Sequence, residues 1–342
     1  MKKHVLKALS LLLVAAVVLA MSACGKDSKP EDTSASEAAK ATVNIATLKG
    51  PTGMGMVKLM KSAEQGSSKN NYNFSIESDP TVIGPKLIKG EVDIAACPLN
   101  MAAALYNKTK ATEDTKDDLR LLAINTLGVL YVLENGNSVK SLADLKGKTL
   151  YASGQGATPE YALNYLLSKN DIDPTTDLTI EYKAEHSELA GLAVKGDAKI
   201  LVLPEPFVTT VLSKNKDLRV ALDLTKEWKK LNDDTAFAMG AIVVRADFAK
   251  ENPQAVAAFL DEYKTSVDFV NQNPADAAAL IANYDIVADV ELAQKAIPGS
   301  QLTFIVGKEM KETAMANFKV LFDANKASVG GALPSDEFFY NS

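Results

Sequence analysis

The chain has 342 residues, 47% of them hydrophobic, and a formal net charge of −6. Its length and apolar content suffice for a sizeable buried core, divided between two lobes. The negative charge argues against nucleic acid or an acidic membrane surface as the partner. Two cysteines, Cys24 and Cys97, are too few for a disulfide framework.

The N-terminus has the pattern of an export signal. Three lysines precede an apolar run ending at Met21, which is too short for a membrane span. Small residues then precede Cys24, as in a bacterial lipobox, where cleavage before the cysteine frees it for lipid attachment. We expect a signal peptide over 1–23 and a lipidated Cys24, with an ordinary secretory signal as the alternative. Loss of 1–23 removes three lysines and no acidic residue, which takes the net charge to −9.

A polar segment follows the predicted anchor. Residues 24–41 contain almost no core-forming side chain and are expected to be a flexible tether. Such a tether would hold the folded body roughly 20–25 Å from the lipid. The protein is therefore expected outside the cytoplasm, attached to the outer face of the cell membrane, or in the periplasm of a bacterium with two membranes.

From Thr42 onward, short strand patterns alternate with helical patterns. We predict strands over 42–48, 72–78, 92–98, 178–184, 198–204 and 217–223. We predict helices over 54–65, 81–90, 100–108, 159–169, 188–195 and 206–214. This alternation indicates an α/β protein with parallel-rich sheets.

Two longer apolar runs, 121–134 and 235–246, stand apart because each carries a glycine midway, Gly128 and Gly240. Both are long enough to leave one lobe and enter another. The predicted division is therefore 42–128 with 239–342 as lobe 1, and 129–238 as lobe 2. After residue 246 the apolar spacing is that of helices.

The stretch LKGPTGMGMVKLM, 48–60, joins a predicted strand to a predicted helix. It lacks the Lys-Ser/Thr pair of a phosphate-binding P-loop, and Lys58 stands where a dinucleotide fingerprint needs its third glycine. What remains is a helix N-terminus with free backbone N–H groups, which suits a small anion or polar head group. The alternative is a loop that only caps its own helix.

A second loop has the same arrangement. In YASGQGATPEYALNYLL, 151–167, two glycines precede Thr158 as the expected N-cap and Pro159 as the first helical residue. Ligands of open α/β sheets bind beyond the carboxyl ends of the strands. Two lobes that each offer such a loop can close on one ligand.

Longer segments carry a family resemblance. They are SLADLKGKTLYASGQG (141–156), KGDAKILVLPEPFVTTVL (195–212), residues 245–282, GEVDIAACPLNMAAALY (90–106) and LPSDEFFY (333–340). Together they resemble the solute-binding lipoproteins of ATP-binding-cassette (ABC) importers, in the group for nitrate, sulfonates, taurine and the pyrimidine precursor of thiamine. The resemblance implies a two-lobed fold like that of type 2 periplasmic binding proteins, with two crossover segments, a helical C-terminal part and the ligand between the lobes.

By position in that fold, the resemblance implies a ligand site at the strand ends. From lobe 1 it takes Pro51, Thr52, Gly53, Met54, Pro98, Leu99, Asn100, Asn125 and Thr126. From lobe 2 it takes Gly154, Gln155, Gly156, Ala157, Thr158, His186, Ser187, Glu205 and Pro206.

Four side chains allow a second interpretation. In this second interpretation Thr158 only caps its helix, and Glu205 only complements the dipole of the helix that follows it. Cys97 is a small buried hydrophobe rather than a ligand contact. Trp228 either stacks on the ligand or is buried in the core.

The sequence lacks the common motifs of serine hydrolases and zinc enzymes. His186 is the only histidine outside the predicted signal, and neither a G-x-S-x-G nor an H-E-x-x-H motif occurs. We therefore expect no catalytic residue, metal or cofactor. The expected function is to capture a small organic molecule, sulfonate-like or heterocyclic, and deliver it, as a monomer, to an ABC permease. The alternatives are a ligand-sensing lipoprotein for a membrane receptor and a precursor-synthesis enzyme on the same fold.

Overall fold

The computed structural model describes residues 40–110 and 118–341. The predicted signal peptide, Cys24 and nearly all of the 24–41 tether lie outside the described residues. Within the described ranges, no helix combines the length and the apolar character needed to cross a membrane.

The chain forms eleven strands and thirteen α-helices in its described parts. The strands are β1 (Thr42–Leu48), β2 (Asn71–Glu77), β3 (Ile94–Pro98), β4 (Leu119–Leu127), β5 (Leu130–Asn135), β6 (Thr149–Ser153), β7 (Thr179–Lys183), β8 (Ile200–Pro204), β9 (Leu218–Asp223), β10 (Ala238–Arg245) and β11 (Leu302–Ile305). The helices are α1 (Pro51–Met54), α2 (Val57–Glu64), α3 (Ile83–Ile88), α4 (Leu99–Lys110), α5 (Thr158–Lys169), α6 (His186–Lys195), α7 (Phe207–Lys214), α8 (Leu224–Leu231), α9 (Ala246–Glu251), α10 (Pro253–Gln272), α11 (Pro274–Asn283), α12 (Val290–Ala296) and α13 (Gly307–Ala324).

The strands form two separate sheets. The larger sheet has the order β11-β4-β10-β3-β1-β2, and the smaller sheet has the order β7-β6-β8-β5-β9. The pairs β1–β2, β1–β3, β6–β7 and β6–β8 are parallel, while β4, β5 and β10 pair only antiparallel with their neighbours. Parallel pairing is thus less dominant than strand–helix alternation predicts. The reason is that β5 and β10 enter their sheets directly from the other part of the chain, without a βαβ crossover.

The chain passes between the sheets twice. It leaves β4 in the larger sheet and enters β5 in the smaller sheet through Gly128 and Val129. A Cβ on Gly128 would lie 2.1 Å from Thr225 Oγ1, so only glycine fits this passage. The return runs through residues 232–237, between α8 and β10.

The second long apolar run, 235–246, contains the end of the return passage and then β10. β10 lies in the larger sheet, and Gly240 stands at a bulge opposite Asn125 and Thr126. A Cβ on Gly240 would be 2.4 Å from Asn125 Oδ1. This glycine therefore makes room for a buried polar side chain of the neighbouring strand.

Apolar side chains cover both faces of each sheet. On the smaller sheet, α6 and α7 pack Leu189 and Val208 against Leu201 on one face. On its other face, α5 and α8 contribute to a core that continues without a break to Cys97 and the larger sheet. The opposite face of the larger sheet is covered by α10. This continuous core fixes the edges at which the strand-end loops meet.

Two sequence interpretations are confirmed here. Cys97 is fully buried, and burial raises the pKa of its thiol to about 12, so it is a small core residue. Trp228 is also fully buried and lies in the core between the two sheets.

One helical prediction needed a change. The helix predicted over 54–65 begins earlier, at Pro51, and is broken at residues 55–56. The part after 246 is mainly helical, as its apolar spacing predicts, and β11 adds one four-residue strand to the edge of the larger sheet. A strand that short is indistinguishable by periodicity from the apolar stripe of a helix.

Candidate functional site

Loops from the two sheets meet along one line, which we call the seam. Asn100, at the start of α4, approaches Gly156 in the loop after β6, with 3.5 Å from its Nδ2 to the Gly156 carbonyl oxygen. Gly50, after β1, lies beside Pro206, whose Cδ would be 3.9 Å from an added Cβ. The seam thus brings the carboxyl ends of β1 and β3 against those of β6 and β8.

The first glycine-rich loop turns sharply into the body of the protein. Gly50 has a φ of 112°, which favours glycine, and Pro51 opens α1. Thr52, Gly53 and Met54 are buried, and a Cβ on Gly53 would collide with the Leu48 carbonyl oxygen at 2.4 Å. Gly50 is buried as well, so within 50–54 only Pro51 keeps part of its surface accessible.

This loop leads into a single helical turn of four residues. The N–H groups of Met54 and Gly55 donate to the carbonyl oxygens of Gly50 and Pro51 at 3.0 and 3.1 Å. These are ordinary bonds within a helix, and they leave its first N–H groups without a partner in the same helix. That these first N–H groups hold a small anion or polar head group stays a prediction.

The second loop differs from its prediction at the helix start. Gly154 and Gly156 have φ values of 80° and 76°, so both occupy the left-handed region. The N-cap is Ala157, without a side-chain cap, and Thr158 is already the first helical residue. The Gly156 N–H donates to the Glu160 carboxylate at 2.5 Å. An acid of the chain itself thus occupies the place that an anionic ligand would take.

Asn100 and Thr158 form a buried bridge across the seam. The Thr158 hydroxyl donates to Asn100 Oδ1 at 2.9 Å, and both side chains are at most 2% exposed. Asn100 Nδ2 also donates to the Ser328 carbonyl oxygen at 3.1 Å. The two polar side chains satisfy one another and tie α4, α5 and the segment Lys326–Val329 together.

This bridge gives a stability prediction. Thr158→Val keeps the shape but leaves buried Asn100 Oδ1 without its donor, so the free energy of unfolding should fall by about 1–3 kcal/mol. Thr158→Ser retains the hydroxyl and is the matched control, expected to lie closer to wild type. Urea denaturation followed by circular dichroism measures both. Equal losses for valine and serine would show that the methyl group matters and the bridge does not.

His186 packs beneath the second loop. Its Nδ1 lies 2.7 Å from Ser153 Oγ, its ring centroid lies 5.4 Å from that of Phe207, and a Cβ on Gly154 would be 3.3 Å from its Cε1. Burial lowers the pKa of His186 to about 4, with Glu185 opposing the shift. The imidazole is therefore neutral at neutral pH. Its neighbour Ser187 is exposed and donates to Glu185 instead of facing the seam.

Glu205 is the carboxyl group at the seam. It is 7% exposed and accepts hydrogen bonds from Thr209 N and Thr209 Oγ1, each at 3.0 Å. Burial raises the pKa of Glu205, and the bonds from Thr209 limit the rise. Its Oε1 would be 2.9 Å from a Cβ on Gly299, in the 3₁₀ helix Pro298–Ser300 that precedes β11. The carboxylate thus bonds the first turn of α7 and also faces the opposite side of the seam.

The remaining predicted site residues differ in their burial. Leu99 and the strand residues Asn125 and Thr126 are at most 3% exposed, and Thr126 Oγ1 donates to Asn125 Oδ1 at 3.3 Å. Pro98 is half-buried and Gln155 is exposed. The structure therefore brings Gly50, Pro51, Asn100, the 154–158 loop, His186 and Glu205–Pro206 to one line.

Sequence reasoning missed three contributors: Gly299, Phe207 and Ser153. Gly299 and Phe207 do not belong to a glycine-rich loop, which was the pattern used to find the site. Gly299 is 94 positions from Glu205, so only the packing of α12 and its 3₁₀ extension against α7 makes them neighbours. Ser153, at the end of β6, is the one of the three that the sequence could have indicated, because it directly precedes the second glycine-rich loop.

The arginine side chains form ion pairs with acidic residues outside the seam. Arg120 lies 2.8 Å from Asp118, and Arg219 pairs with Glu134. Arg245 lies between Asp93 and Asp247. These are all the arginines of the sequence. The nearby Lys49 pairs with Asp285 at 2.6 Å. The seam therefore offers no arginine to an anion.

Comparison with known proteins identifies the fold. Residues 116–277 match the family model described as NMT1/THI5 like. None of the curated proteins compared matches the chain. Among solved structures, an ABC transporter protein from Parabacteroides distasonis is 24% identical, with a TM-score of 0.72, covering 88% of this chain and 99% of its own.

Two further structures carry a named ligand class. The alkanesulfonate-binding protein SsuA from Xanthomonas axonopodis pv. citri, bound to MOPS, is 14% identical, with a TM-score of 0.67 and coverage of 89% and 99% of the two chains. The nitrate-binding protein NrtA from Synechocystis PCC 6803 is 12% identical, with a TM-score of 0.61 and coverage of 85% and 84%. Residues 116–277 thus match the NMT1/THI5-like family, and the chain has the mixed α/β periplasmic-binding-protein fold shared by ABC solute-binding proteins.

Proposed function

We propose that this protein is an extracytoplasmic solute-binding protein that captures a small organic molecule at the seam and delivers it to an ABC import permease. The observation that carries the proposal is the meeting of strand-end loops from two sheets around a buried carboxyl group, Glu205. Ligands of α/β sheets bind at such strand ends. The shared fold with named solute-binding proteins supports the same role.

We propose two lobes on either side of this seam: 42–128 with 239–342, and 129–238. In support, the strands of each sheet come from only one of these two parts of the chain, with a one-residue exception at Ala238. Ligand binding is then a hinged closure about residues 128–129 and 232–237.

The chemistry of the seam favours a neutral or cationic heterocycle with N–H donors, such as an aminopyrimidine. Glu205 and the Gly156 carbonyl are acceptors, while the Gly156 N–H is already bonded to Glu160. A sulfonate or nitrate ion would meet a buried carboxyl group without an arginine to offset it. An amino group on a ring would instead donate to Glu205, and the ring would pack against His186 and Phe207.

One experiment tests both the role and the ligand class. The protein is purified from its own host and analysed by native mass spectrometry, and the mass of any co-purified molecule is identified. Calorimetry then compares 4-amino-5-hydroxymethyl-2-methylpyrimidine with taurine and nitrate. We expect the pyrimidine to bind and both anions to give no heat. A co-purified sulfonate would contradict the ligand class, and binding of no small molecule at all would contradict the role.

We further propose that Cys24 carries the lipid anchor. The supporting observation is the lipobox-like sequence before this cysteine. Cys24→Ser should leave the precursor uncut or release the protein from the membrane fraction, as read by immunoblot of fractionated cells. Normal processing with retention in the membrane fraction would refute a lipid at this position.

A further inference from the structure

A groove lies between the C-terminal half of α5 and the end of α13, with lining residues distinct from those of the seam. Its volume is about 530 Å³, within the range of about 300–1,000 Å³ typical of small-molecule sites. The α5 wall packs on the smaller sheet, and the α13 wall packs on the larger sheet. A molecule in this groove would therefore contact both parts of the protein.

Three features make the groove attractive to a positive charge. Asp323 stands exposed at its rim. Both helices end here, α5 at Lys169 and α13 at Ala324, and helix C-termini carry a partial negative charge. Asn164 Oδ1 is buried in the wall and accepts no hydrogen bond from the described residues. A buried acceptor without a donor is costly, and rotation of the Asn164 side chain into the groove would bring this oxygen to an N–H group of a ligand.

Two tyrosines form the aromatic wall. Tyr161 and Tyr165 line the groove, and the Tyr165 hydroxyl is turned away to donate to Asn232 Oδ1 at 2.8 Å. Lys169 Nζ lies 5.9 Å from the centre of the Tyr165 ring. An ammonium group of the chain itself thus already uses this ring as a cation–π partner.

We propose that this groove is a second ligand site, which takes a small organic ammonium ion with an apolar body. The body packs on the tyrosine rings, and the ammonium group donates to Asn164 Oδ1 near Asp323. An anion would be repelled by Asp323 and the helix ends, and a neutral alcohol would gain no charge attraction. The proposal does not rest on the function proposed for the seam.

The single tryptophan of the sequence supplies the readout. Trp228 has its ring centroid 5.4 Å from that of Tyr165, on the far side of the groove wall. Titration with 2-phenylethylammonium at neutral pH and low salt should change its fluorescence saturably. The uncharged 2-phenylethanol and the anionic 3-phenylpropanoate are the matched controls, and both should bind at least about tenfold more weakly.

Three substitutions test whether 2-phenylethylammonium binds in this groove. Asn164→Leu removes the buried acceptor and should weaken binding of the ammonium ion about tenfold. Asp323→Asn, on the exposed rim, should weaken it about two- to fivefold. Lys169→Gln frees the Tyr165 ring and removes a like charge, so it should strengthen binding by a similar factor. Asp276→Asn, on α11 outside the groove, controls for the change in net charge.

Two results would overturn the proposal. One is equal affinity for 2-phenylethylammonium and 2-phenylethanol. The other is unchanged affinity in both Asp323→Asn and Lys169→Gln, whose exposed side chains leave the fold intact. Binding with the predicted opposite signs in these two variants would establish the groove as a cation site.

Discussion

Replacing Glu205 by glutamine is expected to weaken ligand binding by about ten- to a hundredfold without destabilising the free protein. A hydrogen bond to a charged partner contributes about 1.5–3 kcal/mol, which corresponds to this loss. The buried carboxylate also costs stability, because its pKa is raised in the folded state. Glutamine removes that cost and can still bond Thr209. A residue with a purely structural role would show the reverse, a lower stability with unchanged affinity.

The pH dependence of binding follows from the same shift. The ligand donates to the ionised form of Glu205, whose pKa burial raises above the usual range of a glutamate. Affinity should therefore be full above this raised pKa and fall as the pH drops through it, and Glu205→Gln should lose this dependence. Calorimetry with the aminopyrimidine over a pH series measures it.

The control for Glu205 is Glu309→Gln. Glu309 lies in the first turn of α13, and Glu205 lies just before α7, so both carboxyl groups are near a helix start. Glu309 is exposed and outside the seam. It should change neither affinity nor its pH profile. If Glu205→Gln binds as wild type does, the carboxyl group is only a cap for α7, and the ligand class must be reconsidered.

The largest loss of stability is expected from Trp228→Ala. Trp228 is fully buried, stacks on Phe237 with ring centroids 4.5 Å apart, and contacts Tyr165 on its other side. Removing a buried aromatic ring costs about 3–5 kcal/mol, through lost burial and the cavity that remains. Urea denaturation followed by far-ultraviolet circular dichroism measures the change in the free energy of unfolding.

Trp228→Phe separates the two roles considered for this side chain. The indole N–H has no hydrogen-bond partner among the described residues, so phenylalanine removes an unsatisfied donor and keeps most of the ring contacts. We expect a smaller loss of stability than for alanine and an unchanged affinity for ligand. A folded Trp228→Phe protein that no longer binds would show that this tryptophan reaches the ligand.

Much of the fold was predictable from local pattern. Strands β1, β2, β3, β7, β8 and β9 lie within one or two residues of the runs that alternation predicts. Gly128 was correctly expected at a crossing, because a glycine inside a long apolar run often marks a bend or a close backbone approach. Gly240 carries the same local signal but serves a bulge, and the sequence gives no means of telling these cases apart.

The candidate site was predictable only in part. Glycine-rich loops after strands mark the correct edge of each sheet, since strand ends and helix starts are encoded locally. Whether their N–H groups remain free depends on other residues. In the second loop, the Gly156 N–H already donates to Glu160, from the helix that this loop begins. The glycine-rich pattern by itself does not show that this donor is used.

The sequence by itself determined the order of most elements, the apolar faces that they can bury, and the glycines that the turns require. Those features follow from periodicity and from backbone sterics, which act over a few residues. Only the tertiary structure decided that Asn100 meets Thr158, 58 positions away, and that Glu205 faces Gly299. Polar partners so far apart are chosen by the packing of the elements that carry them, because a buried polar group takes whichever partner the fold brings within reach.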